Sequence, residues 1–370
     1  VYLNTTFRKR AASGWNWFFG AACSFYDRRV GGAVTGGDAW SERQQELHLK
    51  VRSFRQFTPW LRLDAGVETF IRSYRDYYRF ELLYDENRMY PTICAGFLSS
   101  IFYLSEHFKT ELSFRPEYVS LNRRMNWSPR AAVSYAWNRL SISVVAGQYT
   151  QLPENKYLIK NTALPSNICR QTLFSLQYEQ SGRFYKAEFY YKNYKRLELS
   201  VPQGMVPDGY GHSKGVDLYF CDNALWKNFE YRLSYSYNLS KRKYREYTEL
   251  TVPQYATRHN VSLVLKYSVP RLRTIFSVTD RLASGRPYHN PELPVLMNDE
   301  VKPCHSLDLG ITVLASKKVI VHASTTNLTG RKNEYGRING QAVRASSDRF
   351  FYLGVYITLG KKVAYDISNF

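Results

Sequence analysis

The 370-residue chain lacks any run of about 18 apolar residues, so the sequence predicts no transmembrane helix. It also lacks a useful stretch with the i, i+3, i+4 spacing of an amphipathic helix. Cysteines are few, odd in number and widely separated, with no CxxC or paired Cys/His spacing. These five are Cys23, Cys94, Cys169, Cys221 and Cys304. Neither a disulfide framework nor a zinc site is therefore indicated.

Motifs that carry catalysis are absent as well. The glycines of GYGHSKG (209–215) precede a predicted strand and do not form a strand–turn–helix phosphate site. The histidines are isolated, and no pair of carboxylates marks a glycosidase. We predict that the chain is not an enzyme and that it needs no cofactor and no resident metal ion.

A concentrated patch of positive charge is missing too, although the formal net charge is +20. Nucleic-acid-binding proteins usually gather Lys and Arg on one helix, tail or face. Here these residues are scattered through nearly every predicted strand and turn, and no nucleic-acid-binding module is visible. Nucleic acid is therefore not an expected partner.

The chain is rich in alternation with a period of two, as the stretch RFFYLGVYITLGKK (349–362) illustrates. Phe351, Leu353, Val355, Ile357 and Leu359 alternate there with small or hydroxyl-bearing residues. Such alternation is typical of a β-strand, whose side chains point to opposite faces in turn. The aromatic content of 16%, with 31 tyrosines, also suits strands and polar–apolar boundaries.

About 17 segments share this pattern, and many are close to 12 residues long, against about 5–6 for an ordinary strand. A strand needs about 9–11 residues to cross a bilayer. The segments lie near 1–9, 15–26, 44–56, 59–74, 92–104, 107–119, 129–137, 139–150, 168–180, 183–196, 212–223, 228–240, 257–268, 271–283, 304–315, 318–328 and 348–360.

The connections alternate between short and long, as in barrels with periplasmic turns and extracellular loops. The expected long loops are 27–43, 75–91, 150–167, 196–211, 241–256, 281–303 and 329–348. We therefore predict an all-β fold: a transmembrane, antiparallel, up-and-down β-barrel of the outer-membrane type. Apolar alternates such as Leu233 and Leu263 would face lipid. Their polar neighbours, such as Ser234 and Ser262, would face the lumen, because an Arg or Lys facing lipid costs about 2–4 kcal/mol.

Several motifs follow one another over most of the chain: GQYTQLPENKYLIKNTALPSN (147–167), GYGHSKGVDLYF (209–220), FEYRLSYSYNLS (229–240), TRHNVSLVLKYS (257–268), SGRPYHN (284–290) and NLTGRKNEYGR (327–337). In order and spacing, this succession resembles the carboxy-terminal barrel region of TonB-dependent outer-membrane receptors. The resemblance implies a barrel of about 22 strands closed by an amino-terminal plug. Residues 1–370 would then be a partial barrel without the plug and the first strands. The odd count of about 17 strands agrees with this expectation.

The resemblance also implies a function and partners. The protein would sit in the bacterial cell outer membrane and import a scarce nutrient, such as a ferric siderophore, haem, cobalamin or a glycan. Energy would come from the TonB-ExbB-ExbD complex through the plug. Further expected partners are the lipid bilayer, lipopolysaccharide, the small-molecule or glycan ligand and a surface lipoprotein. A passive porin-like channel or an adhesin-like barrel, without TonB, is the alternative. A soluble carbohydrate-binding β-protein is a third class.

Ligand contacts are expected in the long loops, which usually carry binding residues. Aromatic side chains can stack on rings, and Arg can pair with anionic ligands. Exposed basic loops could equally meet anionic lipopolysaccharide. The candidates are Tyr77, Tyr78 and Arg88; Arg123, Arg124 and Trp127 in a loop at 119–129; Arg286, Tyr288 and His289; and Arg331, Tyr335 and Arg337.

Overall fold

The computed structural model describes residues 1–31, 39–80, 83–338 and 340–359, and these residues are almost entirely β-structure. The strands are β1 (Tyr2–Arg10), β2 (Asn16–Gly31), β3 (Ala39–Thr58), β4 (Leu61–Phe80), β5 (Leu83–Met89), β6 (Thr92–Tyr103), β7 (Phe108–Val119), β8 (Arg124–Trp137), β9 (Leu140–Gln151), β10 (Asn167–Gln180), β11 (Arg183–Val201), β12 (Gly204–Asp222), β13 (Phe229–Tyr244), β14 (Tyr247–Thr251), β15 (His259–Val269), β16 (Thr274–Ala283), β17 (Pro287–Tyr288), β18 (Asp299–Glu300), β19 (Cys304–Ser316), β20 (Val319–Thr326), β21 (Glu334–Ile338), β22 (Gln341–Arg344) and β23 (Phe350–Ile357). A short helix, α1 (Asn155–Leu158), and one 3₁₀ turn at Pro270–Leu272 complete the described elements. In this described part of the chain, no helix has the length and apolar character needed to cross a membrane.

Seventeen strands form one continuous antiparallel wall, in which each strand pairs with the next. Their order is β1, β2, β3, β4, β6, β7, β8, β9, β10, β11, β12, β13, β15, β16, β19, β20 and β23. Within the described residues, β1 pairs only with β2 and β23 only with β20. The short strands β5 and β14 pair with the loop ends of β4 and β13, while β17–β18 and β21–β22 are separate hairpins. The predicted barrel fold and its seventeen segments are confirmed.

The register sorts the side chains into two faces. Lys50 of β3 lies opposite Glu68 of β4, and Glu68 lies opposite Ala95 of β6. Since side chains alternate along each strand, these residues share one face and Val67 belongs to the other. The first face is the inner one, because residues 152–166, which follow β9, reach back across it as far as β3. Asn155 Nδ2 donates to Gln44 Oε1 there over 3.0 Å.

Charged groups on the inner face are buried and paired. Glu68, only 8% exposed, accepts from Arg115, from Lys50 Nζ at 3.2 Å and from His48 Nε2 at 3.3 Å. The ion pairs run across neighbouring strands, so they neutralise charge in the lumen and keep it away from the outer face. The register of Glu68 thus agrees with the expectation that polar alternates face the lumen.

Large apolar side chains on the outer face are exposed instead. Val67 is 60% exposed, and Leu98 and Leu112 are each 50% exposed. Close to the short turns, outer-face aromatic rings contact one another; Trp60, for example, stacks on Phe102 with ring centroids 6.4 Å apart. An apolar outer band bordered by aromatic rings is the pattern of a lipid-facing barrel wall.

The predicted long loops are mostly wrong in extent, because the strands continue beyond them as hairpins. The expected loop 196–211 is a ladder of β11 and β12 that reverses at Pro202 and Gln203, with Gly204 at φ 125°. Loops 75–91 and 241–256 likewise contain the ends of β4 and β13 with β5 and β14, and residues 32–38 of loop 27–43 lie outside the described residues. Backbone groups of neighbouring strands remain paired until a turn breaks the ladder, whether or not the hairpin still lies in the membrane.

Residues 152–166, which we call the strap, pack with side chains of the wall into a buried apolar cluster at the loop end. Leu158 and Leu164 are 0% and 1% exposed, and they belong to a cluster with Tyr74, Val119 and Met205 of the wall. Proline at 153 and 165 limits regular structure within the segment, and α1 covers one turn only. The strap is therefore packed onto the inner face as a fixed element.

Polar contacts fasten the strap at several strands. Arg245, just after β13, pairs with Glu154 and, at 3.4 Å, with Glu198 of β11. The side chain of Asn161 donates to the backbone oxygen of Met205 over 2.8 Å, and that of Asn122 donates to the backbone oxygen of Leu164 over 2.7 Å. These separate anchors lie between β7 and β8, on β11 and β12, and just after β13.

Candidate functional site

A cavity of about 550 Å³ opens on the inner face at the loop end of β13, β15, β16 and β19. We call it the loop-end cavity. Its floor consists of Ser234, Ser236, Asn260, Ser262, Arg281 and Ser306. Its rim consists of Arg331, Asn333, Tyr335, Ser347, Asp348 and Phe350.

The floor follows directly from the register. Ser234 lies opposite Ser262, Ser262 opposite Arg281, and Arg281 opposite Ser306, so one row crosses four strands. Three hydroxyl groups and one guanidinium thus lie side by side on the lumen face. This row offers donors and acceptors of small size and one positive charge to a ligand.

Arg281 is held in place by Asp308, with which it forms an ion pair. Asp308 Oδ1 also accepts from Ser306 Oγ at 2.7 Å and from the backbone N–H of Asn327 at 2.8 Å. The aspartate thereby ties the floor of the cavity to the beginning of the rim loop. The guanidinium of Arg281 remains half-exposed toward the cavity, with 51% of the side chain accessible.

The rim loop, residues 327–349, is folded down onto the wall by asparagine side chains. Asn327, 7% exposed and at φ 51°, donates through Nδ2 to the backbone oxygens of Arg331 and Asp348, at 2.9 and 2.5 Å. Asn333 Oδ1 accepts from the backbone N–H of His305 over 3.0 Å, and Asn333 Nδ2 donates to the backbone oxygen of His305 over 2.8 Å. Asparagine adopts the left-handed backbone conformation more readily than most residues. Asn327 is therefore well suited to this sharp bend.

Five of the sequence-predicted ligand residues come together at this rim. The guanidinium carbon of Arg286 lies 5.4 Å from the ring centroid of Tyr335, and that of Arg337 lies 5.5 Å from the ring centroid of Tyr288. Arg331 Nη2 donates to the backbone oxygen of Pro303 over 2.8 Å. Hairpins β17–β18 and β21–β22 therefore meet through alternating guanidinium and aromatic groups.

The remaining predicted residues lie elsewhere. Tyr77 and Tyr78 are on β4 and Arg88 is on β5, where Arg88 and Arg75 share Glu86 at 2.5 and 2.8 Å. His289 is exposed beside β17 and is absent from the cavity lining.

The predicted loop 119–129 is wrong, because the ladder of β7 and β8 continues as far as Val119 and Arg124. Arg123 occupies the turn at φ 52°, but Arg124 and Trp127 lie on β8. The register turns Trp127 to the outer face, where it stacks on Phe114 at 5.7 Å. Trp127 therefore belongs to the aromatic border of the wall.

The floor residues Asn260 and Ser306 were missed because the candidates were sought only in loops, and Arg281 was missed although it begins the expected loop 281–303. The sequence did indicate lumen-facing residues, because the polar alternates of the predicted strands 228–240 and 257–268 face the lumen. Adjacent strands bring such alternates into one row. Which residues share a row, however, depends on how far each strand is shifted along its neighbour, that is, on the pairing register. No sequence pattern supplies that register across four strands.

Two carboxylates hold the rim hairpins, and their pKa values are depressed. The hydroxyl of Tyr288 donates to Asp299 over 2.5 Å and lowers the pKa of Asp299, while that of Tyr288 is raised. Arg344, at 2.8 Å, and Arg337, at 3.5 Å, lower the pKa of Glu334.

A pH dependence of the rim follows from these shifts. A depressed folded-state pKa adds stability above the ordinary carboxyl pKa, and this stability is lost as the pH falls through the folded value. We therefore expect hydrogen exchange within 287–300 and 334–344 to accelerate below about pH 4, while exchange in the wall strands stays slow. Asp299→Asn should remove the pH dependence within 287–300 but not within 334–344. Equal acceleration throughout the wall would contradict this local origin.

Comparison with protein-family models and with curated protein sequences finds no match to this chain. Solved structures do match. The chain is similar to the copper transporter OprC (TM-score 0.76, 12% identity), covering 96% of this chain and 64% of that one. It is also similar to the ferric yersiniabactin uptake receptor FyuA of Yersinia pestis (TM-score 0.76, 13% identity, 96% and 60% covered). The outer membrane transporter YddB of Escherichia coli is a third (TM-score 0.73, 12% identity, 96% and 62% covered).

The architecture is thus that of an outer-membrane β-barrel. More narrowly, the fold is that of the barrel of TonB-dependent receptors, as the resemblance implied. At 9–13% identity the likeness concerns the fold. The chain spans 60–64% of the length of these three solved structures.

Proposed function

We propose that the chain is the barrel portion of an outer-membrane receptor that binds a scarce nutrient in the loop-end cavity and imports it with TonB-coupled energy. The observation that carries this proposal is the coincidence of a receptor-barrel fold with a lumen-facing cavity at its loop end. In this arrangement the long loops face the outside of the cell and the short turns face the periplasm. The plug and its contact with the TonB-ExbB-ExbD complex would come from outside the residues described.

The lining of the cavity supports ligand binding from the external side. Its floor is a row of small hydrogen-bonding groups around Arg281, and its rim carries guanidinium and aromatic groups. Such a surface can contact a polar or anionic ligand through several directional bonds and can stack on its rings. Ferric siderophore, haem, cobalamin and glycan are the nutrient classes to test.

A bulky residue on the floor tests the proposal directly. Ser262→Trp would fill part of the cavity from the centre of the four-strand row. In a deletion strain carrying the complete gene, the wild type is expected to restore growth under iron, cobalamin or glycan limitation. The Ser262→Trp variant should fail to restore that growth, while its level in the outer membrane stays normal.

The matched control is Ser268→Trp, on the same face of the same strand but absent from the cavity lining. It should retain uptake. Uptake by the Ser262→Trp variant at the wild-type rate would contradict the cavity as the binding site. Uptake that persists without TonB would instead indicate a passive channel.

A further inference from the structure

Three basic side chains belong to the lumen face of β8–β13 just below the strap, on the side of the short turns. We call Arg130 of β8, Lys192 of β11 and Arg242 of β13 the lumen cations. One row of the register runs from Arg130 through Gly147 and Gln171 to Lys192. Arg242 lies on the same face in the next row toward the strap.

Two glycines let the arginine side chains lie along the wall. Gly147 lies opposite Arg130, and a Cβ atom at this glycine would come within 2.8 Å of Arg130 Cγ. Gly211 lies opposite Arg242, and a Cβ atom there would likewise come within 2.8 Å of Arg242 Cγ. Each arginine therefore extends over the neighbouring strand at a position that has no side chain.

The two guanidinium groups approach the same part of the wall from opposite sides. The guanidinium carbon of Arg130 lies 4.3 Å from the ring centroid of Tyr149 on β9. That of Arg242 lies 4.4 Å from the ring centroid of Tyr194 on β11. Cys169 of β10 lies opposite both tyrosines, so it marks the place on which the two arginines converge.

Within the described residues, the lumen cations have no carboxylate partner. In the same part of the chain, the Nε atoms of Arg130 and Arg242 are enclosed and lack a hydrogen-bond acceptor. Elsewhere on this face cations are paired, as where Lys50 and Arg115 share Glu68. An enclosed donor without an acceptor costs free energy, which a bound acceptor would recover. The lumen cations therefore offer a place for an anion.

Acids of these strands lie lower on the lumen face. Glu188 of β11 and Asp217 of β12 lie opposite each other, nearer the short turns. Lys186 Nζ holds Glu188 over 2.9 Å. Positive charge is thus concentrated at the level of Cys169 and is not cancelled there. A concave wall with one sign of charge can raise the encounter rate of counter-ions by about 10–1,000-fold.

We propose that the lumen cations form a binding site for a small anion with carboxylate or phosphate oxygens. Arginine can pair with two such oxygens through parallel N–H groups, and lysine adds a compact charge. The tyrosine rings stack against the guanidinium groups and hold their planes. This site is distinct from the loop-end cavity, whose lining contains none of the three cations. Binding here does not require the anion to be the imported nutrient.

The test uses Cys169 as a reporter of the local electrostatic potential. Serine replaces the other four cysteines, Cys23, Cys94, Cys221 and Cys304. The purified full-length protein in detergent is treated with a sulfonate-bearing or a trimethylammonium-bearing methanethiosulfonate, and each rate is divided by that with free cysteine. The anionic reagent is expected to react at least about tenfold faster than the cationic one. This excess should shrink as salt is raised, because the charges are screened.

Variants of the lumen cations should change the excess in a graded way. Lys192→Gln and Arg242→Gln are each expected to reduce it about threefold, because each removes one nearby positive charge. Pyrophosphate should slow modification of Cys169, and it should lose this effect in the double variant. The matched control is Lys109→Gln, which removes an exposed lysine of the same face on β7, far from Cys169 in the strand order. It should leave the excess unchanged.

Equal rates for the two reagents, or a faster cationic reagent, would overturn the proposal. So would an equal fall in the Lys109→Gln variant, or protection by pyrophosphate no better than by sodium chloride of the same ionic strength. Exclusion of both reagents would show that a polypeptide segment fills the site, and would also overturn it. The reagent comparison keeps all three cations, so it decides the matter even if the double variant fails to assemble. No step measures nutrient uptake, so failure here leaves the proposed transport untouched.

Discussion

Arginine in place of Leu233 or Leu263 is expected to prevent the chain from assembling in a membrane. The two leucines lie opposite each other on β13 and β15, on the outer face. A charge on the lipid-facing side of a barrel strand costs about 2–4 kcal/mol near the middle of the bilayer. This cost is a large fraction of the net free energy of unfolding of a typical protein, which is about 5–15 kcal/mol.

The matched substitutions are Ser234→Arg and Ser262→Arg, one residue along on the same strands. These serines also lie opposite each other, but they face the lumen. Assembly can be followed by the change in electrophoretic mobility on heating and by resistance to added protease. Both leucine variants should lose the folded band, and both serine variants should keep it. Equal loss in the two pairs would mean that the faces have been assigned the wrong way round.

Leu158→Ala is expected to release the strap from the inner face. The leucine is completely buried in the cluster with Tyr74, Val119 and Leu164, and such truncations cost about 2–5 kcal/mol. The loss is local, because the wall strands keep their own backbone pairing. Hydrogen exchange within 152–166 should therefore rise strongly while exchange in β9 and β10 changes little.

Leu225→Ala provides the comparison for this prediction. Leu225 lies in a short turn and is 45% exposed, so the same truncation removes little buried surface. Its exchange pattern should match that of the wild type. Unchanged exchange in the strap of the Leu158→Ala variant would show that polar contacts such as Arg245–Glu154 suffice to hold the segment.

The strands and their facing could be predicted from the sequence, because a period of two is a local property. Leu233 and Ser234 are assigned to opposite faces by neighbouring letters alone, and the register agrees. The ends of the strands could not be predicted equally well. Pro202, Pro207 and the nearby glycines interrupt the alternation in 196–211, yet the ladder of β11 and β12 persists through this stretch.

The site depends on relations that are not local. The contact between Asn155 and Gln44 joins residues 111 positions apart, so the motif at 147–167 could be noticed without its inward fold being foreseen. The row from Ser234 to Ser306 likewise forms only when four strands are paired in the correct register. Pairing of Arg286 with Tyr335 arises from two loops that meet in space.

The strap and the loop-end cavity occupy different strands at the loop end of the wall. The strap is fastened to β3, β11 and the end of β13, whereas the loop-end cavity lies along β13–β19 under the rim loop. The strap thus covers part of the inner face between β3 and β13, and the loop-end cavity lies beside the covered part. Under the proposed function, a ligand that arrives from the loop side would meet the cavity along β13–β19, beside the flank that the strap holds in place.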